Sequence, residues 1–167
     1  MEMIKTFLSA PKQYEDAFWE SDVLIWIDWR EYDEDIIRYF NEKLPNGDKI
    51  DFICKDTDKE RDIDIILKKD GASMPIPYAD AYMDRDTTLI SIQNYIAPKY
   101  QIRCYLGSLV CDTLAFCMYP AEEWNRLEQE FGAETVARYF VPVQEGRKLF
   151  EMDMDEVYNR LKQIGMS

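Results

Sequence analysis

From Val23 to Trp29 the chain runs through seven residues of which only Asp28 is polar. An apolar run of that kind predicts a strand buried on both faces rather than a half-solvated edge. The character then changes within three residues. Glu31, Asp33, Glu34 and Asp35 crowd a helix start, where free backbone N–H groups and the helix dipole favour negative charge. Ile36, Ile37, Tyr39, Phe40 and Leu44 continue at helical spacing, and Pro45-Asn46-Gly47 ends the run. The pattern thus predicts a central strand that leads through an acidic corner into a packed helix.

The flanking pattern supplies the other elements. Met1 to Leu8 is a short amphipathic lead-in, and Ser9-Ala10-Pro11 marks the entry to a helix carrying Tyr14, Phe18 and Trp19. Lys49 to Lys55 alternates with period two, as a half-buried strand does, and the charged tract Asp56 to Asp62 reads as a loop. Ile63 to Lys68 follows as a strand, and Asp70-Gly71 is a hairpin turn. Pro75 and Pro77 mark the next strand, Ala72 to Tyr78, as an edge. Thr87 to Ala97 is expected to be helical with Asp86 as its N-cap, and Pro98 stops it. Tyr100 to Leu106 and Thr113 to Tyr119 are strands. Ala121 to Phe131 is a helix ended by Gly132, a second short helix resumes at Val136, Pro142 to Lys148 connects, and Asp153 to Ile164 closes the chain as a helix. No internal repeat, low-complexity tract or interdomain linker interrupts this order. It predicts one α+β domain over residues 1–167, a mostly antiparallel mixed sheet packed with several helices.

Composition changes the picture in two respects. The 167 residues are 47% hydrophobic and 14% aromatic, enough for a real core. The formal charge is −13, and residues 20–64 hold 15 acids against 7 bases. A field of that sign repels nucleic acid and anionic membranes and draws in a basic partner. Solubility alone is the plainer account of an acidic chain. There is no apolar leader, no membrane-length apolar run and no cysteine framework among Cys54, Cys104, Cys111 and Cys117, so a reduced cytoplasmic protein is expected.

The chain contains no histidine, which excludes Ser-His-Asp, Cys-His and His-ligated metal chemistry, and no glycine-rich phosphate loop is present. Asp56-x-Asp58-x-Glu60 opens like a calcium loop, but Arg61 stands at the sixth position and Leu67 at the twelfth. Asp80, Asp84 and Asp86 could hold Mg²⁺, although a cap and a solvated loop explain them more simply. Asp28, if buried, needs a partner such as Arg30 or Arg103. Cys104 and Cys117 are placed to face each other across a strand pair as inert core thiols. Neither catalysis nor a cofactor is expected. Trp29 and Tyr32 beside Glu31, Asp33, Glu34 and Asp35, joined by Asp56, Asp58 and Glu60 from the next loop, form the candidate partner-binding surface, with an aromatic anchor and steering charge.

The run Asp22 to Phe40, the segment Arg85-Asp86-Thr87-Thr88-Leu89, the Ala97-Pro98-Lys99-Tyr100 junction, and Asp112-Thr113-Leu114-Ala115-Phe116 followed by Pro120 and Trp124 carry a resemblance. Over about residues 22–140 the chain resembles small bacterial cytosolic immunity proteins of contact-dependent inhibition and related polymorphic toxin systems. These motifs are structural and carry no mechanistic signature. The resemblance implies a stoichiometric inhibitor, a monomer or small homo-oligomer, whose partner is a cognate protein toxin, a basic nuclease-type domain. A carboxylate–metal hydrolase and a non-catalytic housekeeping protein remain as alternatives.

Overall fold

The computed structural model describes residues 1–79 and 82–165. Among them the helices are α1 (Glu2–Ser9), α2 (Pro11–Trp19), α3 (Asp33–Lys43), α4 (Arg85–Ile96), α5 (Ala121–Phe131), α6 (Ala133–Tyr139) and α7 (Met154–Ile164). The strands are β1 (Ile25–Asp28), β2 (Asp51–Asp56), β3 (Ile63–Lys69), β4 (Ala72–Pro75), β5 (Tyr100–Tyr105), β6 (Thr113–Pro120) and β7 (Phe140–Pro142). They form two antiparallel sheets, one in the order β1-β6-β5-β7 and the other β2-β3-β4. The architecture is α+β, with two sheets where the pattern suggested one.

β5 and β6 form the middle of the larger sheet: β6 is apolar in both side-chain phases from Leu114 to Met118, and β5 is buried from Ile102 to Tyr105, its second phase carrying Arg103 beside Tyr105. On one face Ile102, Cys104, Leu114, Phe116 and Met118 meet Ile36, Ile37 and Phe40 of α3 and Leu89, Ile92 and Ile96 of α4. Ile65 and Leu67 of β3 enter the same core, so the smaller sheet is fastened to the larger through shared apolar contacts. On the other face Tyr105, Ala115 and Cys117 lie under α1, α2, α5 and α6, which contribute Ile4, Phe7, Phe18, Trp124, Leu127 and Val136. Phe7 stacks on Phe18 at 4.5 Å between ring centroids, and Tyr105 meets Phe18 edge-on at 5.0 Å.

Several expectations need correction. The apolar run Val23 to Trp29 is not a two-face-buried central strand: β1 is an edge strand of four residues in which only Ile25 and Ile27 are buried. Trp26 instead leans on Trp19 of α2, so its ring is covered by a helix rather than by a second layer of sheet. Cys104 and Cys117 do not face each other. Cys104 is opposite Phe116 and Cys117 opposite Arg103, so the two thiols lie on opposite faces. Burial holds Cys104 protonated, pushed up to about 12, and pushes Cys117 up likewise. β2 is mostly exposed rather than half-buried, with Phe52 alone partly covered. Phe140–Pro142, expected within a short helix and a connector, pairs with β5 as a strand.

Other expectations stand. Asp70 and Gly71 both take positive φ, 51° and 79°, and form the two-residue turn that sets Lys69 opposite Ala72. The last turns of α3 meet Ile50, the residue before β2. The Asn41 amide donates to the Ile50 carbonyl at 2.9 Å and accepts from the Ile50 N–H at 2.7 Å, imitating a neighbouring strand where the ladder would be bare. The Arg38 guanidinium sits 5.9 Å from the centre of the Phe52 ring. No helix among the described residues is long and apolar enough to cross a membrane.

Gly107 follows β5 and turns back over the ring of Tyr105. A Cβ at this position would lie 2.3 Å from Tyr105 Cζ, and that ring is buried between Phe7, Phe18 and Phe140. Gly107→Ala is therefore expected to destabilise the fold by about 1–3 kcal/mol through overpacking. The urea midpoint checks this; an unchanged midpoint would show that the ring yields without cost.

Candidate functional site

The acidic corner forms where β1 ends and α3 begins. The chain turns on the Glu31 N–H, which donates to the Asp28 carbonyl at 3.0 Å. Asp28 is not buried alone. Its carboxylate accepts from the Arg30 backbone N–H at 2.7 Å and from Arg30 Nε at 3.2 Å, and these bonds hold its pKa below the ordinary value. Arg103, the other candidate partner for Asp28, pairs with Glu128 at 2.8 Å.

Asp33 opens α3, and its place is the main correction to the surface read from the sequence. It is 3% exposed, so it cannot meet a partner. Arg61 Nη2 donates to Asp33 Oδ2 at 3.0 Å, and the Asp84 backbone N–H donates to the same oxygen at 3.2 Å. Thr88 Oγ1 donates to Asp33 Oδ1 at 2.7 Å. With its proton committed there, Thr88 accepts from the Tyr78 hydroxyl at 2.7 Å, and burial keeps that phenol protonated. Arg61 comes from the charged tract Asp56 to Asp62, read as a loop, yet it is buried. Its Nε donates to the Ile63 carbonyl at 2.7 Å, and its guanidinium covers the Tyr78 ring at 3.3 Å.

This pair draws the β2–β3 loop against the N-terminus of α3. A cavity of about 250 Å³ opens there, lined by Tyr32, Asp33, Glu34, Arg61, Asp62, Ile63, Tyr82 and Met83. Three aromatic residues in this part of the chain are half exposed: Trp29 at 49%, Tyr32 at 54% and Tyr82 at 51%. The remaining predicted acids divide by what holds them. Glu31 lies near Tyr39, whose phenol is raised first by burial and then by the neighbouring Glu31 carboxylate. Asp35 pairs with Arg38 on the next turn. Glu34, Asp56, Asp58 and Glu60 have no ion-pair partner among the described residues, and the last three are fully exposed. The cavity residues missed from the sequence are Arg61, Asp62, Ile63, Tyr82 and Met83, brought in by tertiary placement with no local pattern to mark them.

The expected aspartate cluster resolves into caps and tethers. Asp84, not Asp86, is the N-cap of α4, accepting from the Thr87 N–H at 3.0 Å. Asp86 is buried and accepts from the Leu149 N–H at 2.8 Å and the Phe150 N–H at 3.1 Å, pinning the segment before α7. Asp80 lies outside the described residues. Among those described, no three His, Cys, Asp or Glu side chains gather to hold a metal ion. Comparison of the chain with family models, with curated proteins and with solved structures gave no match.

The buried pair predicts strong coupling. Arg61→Met leaves the buried Asp33 charge without its cation and is expected to cost about 3–5 kcal/mol, and Asp33→Asn, after which Arg61 keeps Asp64 at 3.8 Å, is expected to cost less. The double variant is expected to lose clearly less than the sum of the two, because neither charge is then stranded. Urea unfolding of the four proteins measures this; strict additivity would show that the two groups act independently.

Asp86 predicts a pH effect. Burial pushes its carboxyl above the ordinary aspartate value, and the Leu149 and Phe150 N–H groups draw it only part of the way back. The folded chain therefore binds this proton more tightly than the unfolded chain. Its contribution to stability grows as pH falls through the window just above the unfolded value of about 4 and is lost as pH rises through it. Asp86→Asn is expected to remove that slope from the stability curve, read as urea midpoint against pH. An unaltered slope would assign it to another group.

Proposed function

We propose that the protein is a stoichiometric binder of a basic protein domain and that the acidic corner is its docking face. In this reading it acts in the cytoplasm as an immunity-type inhibitor, by occlusion rather than catalysis, in keeping with its resemblance to toxin-immunity proteins. The observation that carries the reading is the pairing of uncompensated charge with exposed rings. Among the described residues Glu34, Asp56, Asp58 and Glu60 pair with no cation, and Trp29, Tyr32 and Tyr82 stand half exposed, Tyr32 and Tyr82 lining one cavity with Glu34. Exposed aromatics anchor interfaces, and uncompensated carboxylates speed encounter with a cation-rich surface. Asp33 belongs to the scaffold of that face rather than to its contact surface.

The partner is sought in the product of the reading frame adjoining this chain's own gene. That product is expected to be a basic, cytotoxic domain whose toxicity is suppressed on co-expression; a frame encoding nothing of the kind would overturn the immunity reading. With that domain in stopped-flow association, the combined change Glu34→Lys, Asp58→Lys and Glu60→Lys should slow the on-rate about tenfold or more and flatten its salt dependence. An on-rate and salt slope equal to those of the parent chain would move the docking face elsewhere.

A further inference from the structure

The smaller sheet has one face turned into the core and one turned out. Ile65 and Leu67 of β3 point inward, so alternation along the strand puts Asp64, Ile66 and Lys68 on the outer face. Residues directly opposite on a ladder share a face, and the register assembles this one in rows. Ile53 stands opposite Ile66, and Ile66 opposite Pro75, an apolar row across all three strands. On one side of that row Asp51 is opposite Lys68, and on the other Lys55 is opposite Asp64. Ile53 is 46% exposed, and neither it nor Ile66 joins either core.

Both strands carry the same pattern, Asp-x-Ile-x-Lys, from Asp51 to Lys55 and from Asp64 to Lys68. Because the strands are antiparallel, the acid of one lies beside the base of the other, and the four charges form a checkerboard around the two isoleucines. These cross-strand neighbours do not close on each other. Among the described residues Asp51, Lys55 and Lys68 form no ion pair, and Lys68 Nζ donates instead to Ser73 Oγ at 2.6 Å. Asp64 alone is engaged, by Lys59 at 3.4 Å and by Arg61 at 3.8 Å.

We infer that this outer face pairs with the same face of a second copy of the chain. Half a turn about an axis lying over the apolar row, across the strands, sets Ile53, Ile66 and Pro75 each against its own counterpart. The same rotation brings Asp51 over Lys55 of the second copy and Lys68 over Asp64 of the second copy, and the reverse. A two-fold interface uses one patch twice, so every charge must find its opposite on that patch. The checkerboard meets this condition, and a face of a single sign could not. A foreign partner of either sign would be repelled by half of these charges, which assigns the face to a second copy. Stacked sheets lie about 10 Å apart, a gap that facing lysine and aspartate side chains can span at the rim. Three strands about 4.8 Å apart make a patch smaller than the roughly 800 Å² per partner of a standard interface, so the dimer is weak and forms at high micromolar concentration. The face excludes Glu34, Asp58 and Glu60 and does not depend on the binder reading.

Sedimentation of the full chain over a concentration series reads the assembly, and a monomer–dimer equilibrium is expected. Ile53→Lys, with its urea midpoint measured alongside to show an intact fold, should raise the dissociation constant about tenfold or more. Val110→Lys and Tyr158→Lys, at exposed positions outside this face, should leave it unchanged. Carbodiimide joins a carboxylate to a lysine amine in contact with it. In a mixture of plain and isotope-labelled chains, links between copies are expected from Asp51 to Lys55 and from Asp64 to Lys68. A monomer at every concentration up to millimolar, a dimer indifferent to Ile53→Lys, or links between copies at other sites alone would each overturn the proposal. So would protection of Ile53 that appears only when the product of the adjoining reading frame is added, which would give the face to a foreign partner.

Discussion

A carboxylate and a guanidinium meet at 3.0 Å under the acidic corner, both side chains almost wholly withdrawn from water. Each ion costs several kcal/mol to desolvate, and a bare pair seldom recovers that cost. Here the remaining acceptor sites of Asp33 are filled by Thr88 Oγ1 and the Asp84 N–H, while Arg61 gives Nε to the Ile63 carbonyl and its face to Tyr78. One polar cluster thereby ties the start of α3, the loop between β2 and β3, the segment after β4 and the cap of α4. Apolar burial cannot fix these four against one another, because each is an element end where side chains thin out. The register of the corner therefore depends on hydrogen-bond geometry, which has one good solution where hydrophobic packing has several.

The two sheets are held differently. β5 and β6 are buried along most of their length and covered on both sides, so the larger sheet is clamped by helices. The smaller sheet contributes Ile65 and Leu67 to the same core while its β2 strand stays open to solvent. It would present two bare edges if left alone. Asn41 of α3 occupies the entry of one, and Pro75 removes a donor from the other. The helix that borders the corner is thus also the guard of the β2 edge.

What could be read from the sequence follows from how locally each feature is encoded. The Asp70-Gly71 turn, the Ala121–Phe131 helix and the stop at Gly132 depend on neighbours a few residues away, and they stand where the pattern placed them. The ranking of strands was not legible, because the run from Val23 to Trp29 mixes residues covered by sheet packing with Trp26, covered by Trp19, and Trp29, left exposed. Apolar character alone does not say what does the covering. Asp33 was read as one of four equivalent corner acids, and nothing within its helix distinguishes it from Glu34. Its partner stands 28 residues on, inside the most polar tract of the chain. Asp84 and Asp86 were interchanged for a related reason: either suits an N-cap, and only the backbone N–H groups of Leu149 and Phe150, 63 and 64 residues away, claim the second.

Sorting the corner acids by what the fold itself asks of them narrows the functional question. Asp33 is consumed by Arg61, Asp35 by Arg38 and Asp28 by Arg30, while Glu31 lies near the Tyr39 phenol. Glu34 gains from the dipole of α3, a modest stabilisation of about 0.3–1 kcal/mol at an exposed helix start. Asp56 at the end of β2 and Asp58 and Glu60 on the loop after it have neither a helix end nor, among the described residues, a cation, and that loop is drawn toward Asp33 by a buried bridge. Their mutual repulsion opposes the very contact that Arg61 enforces. A fold selected for stability alone would gain by placing lysine at one of these positions. If the corner docks on a cationic partner, as proposed, that partner would turn the local cost into association rate.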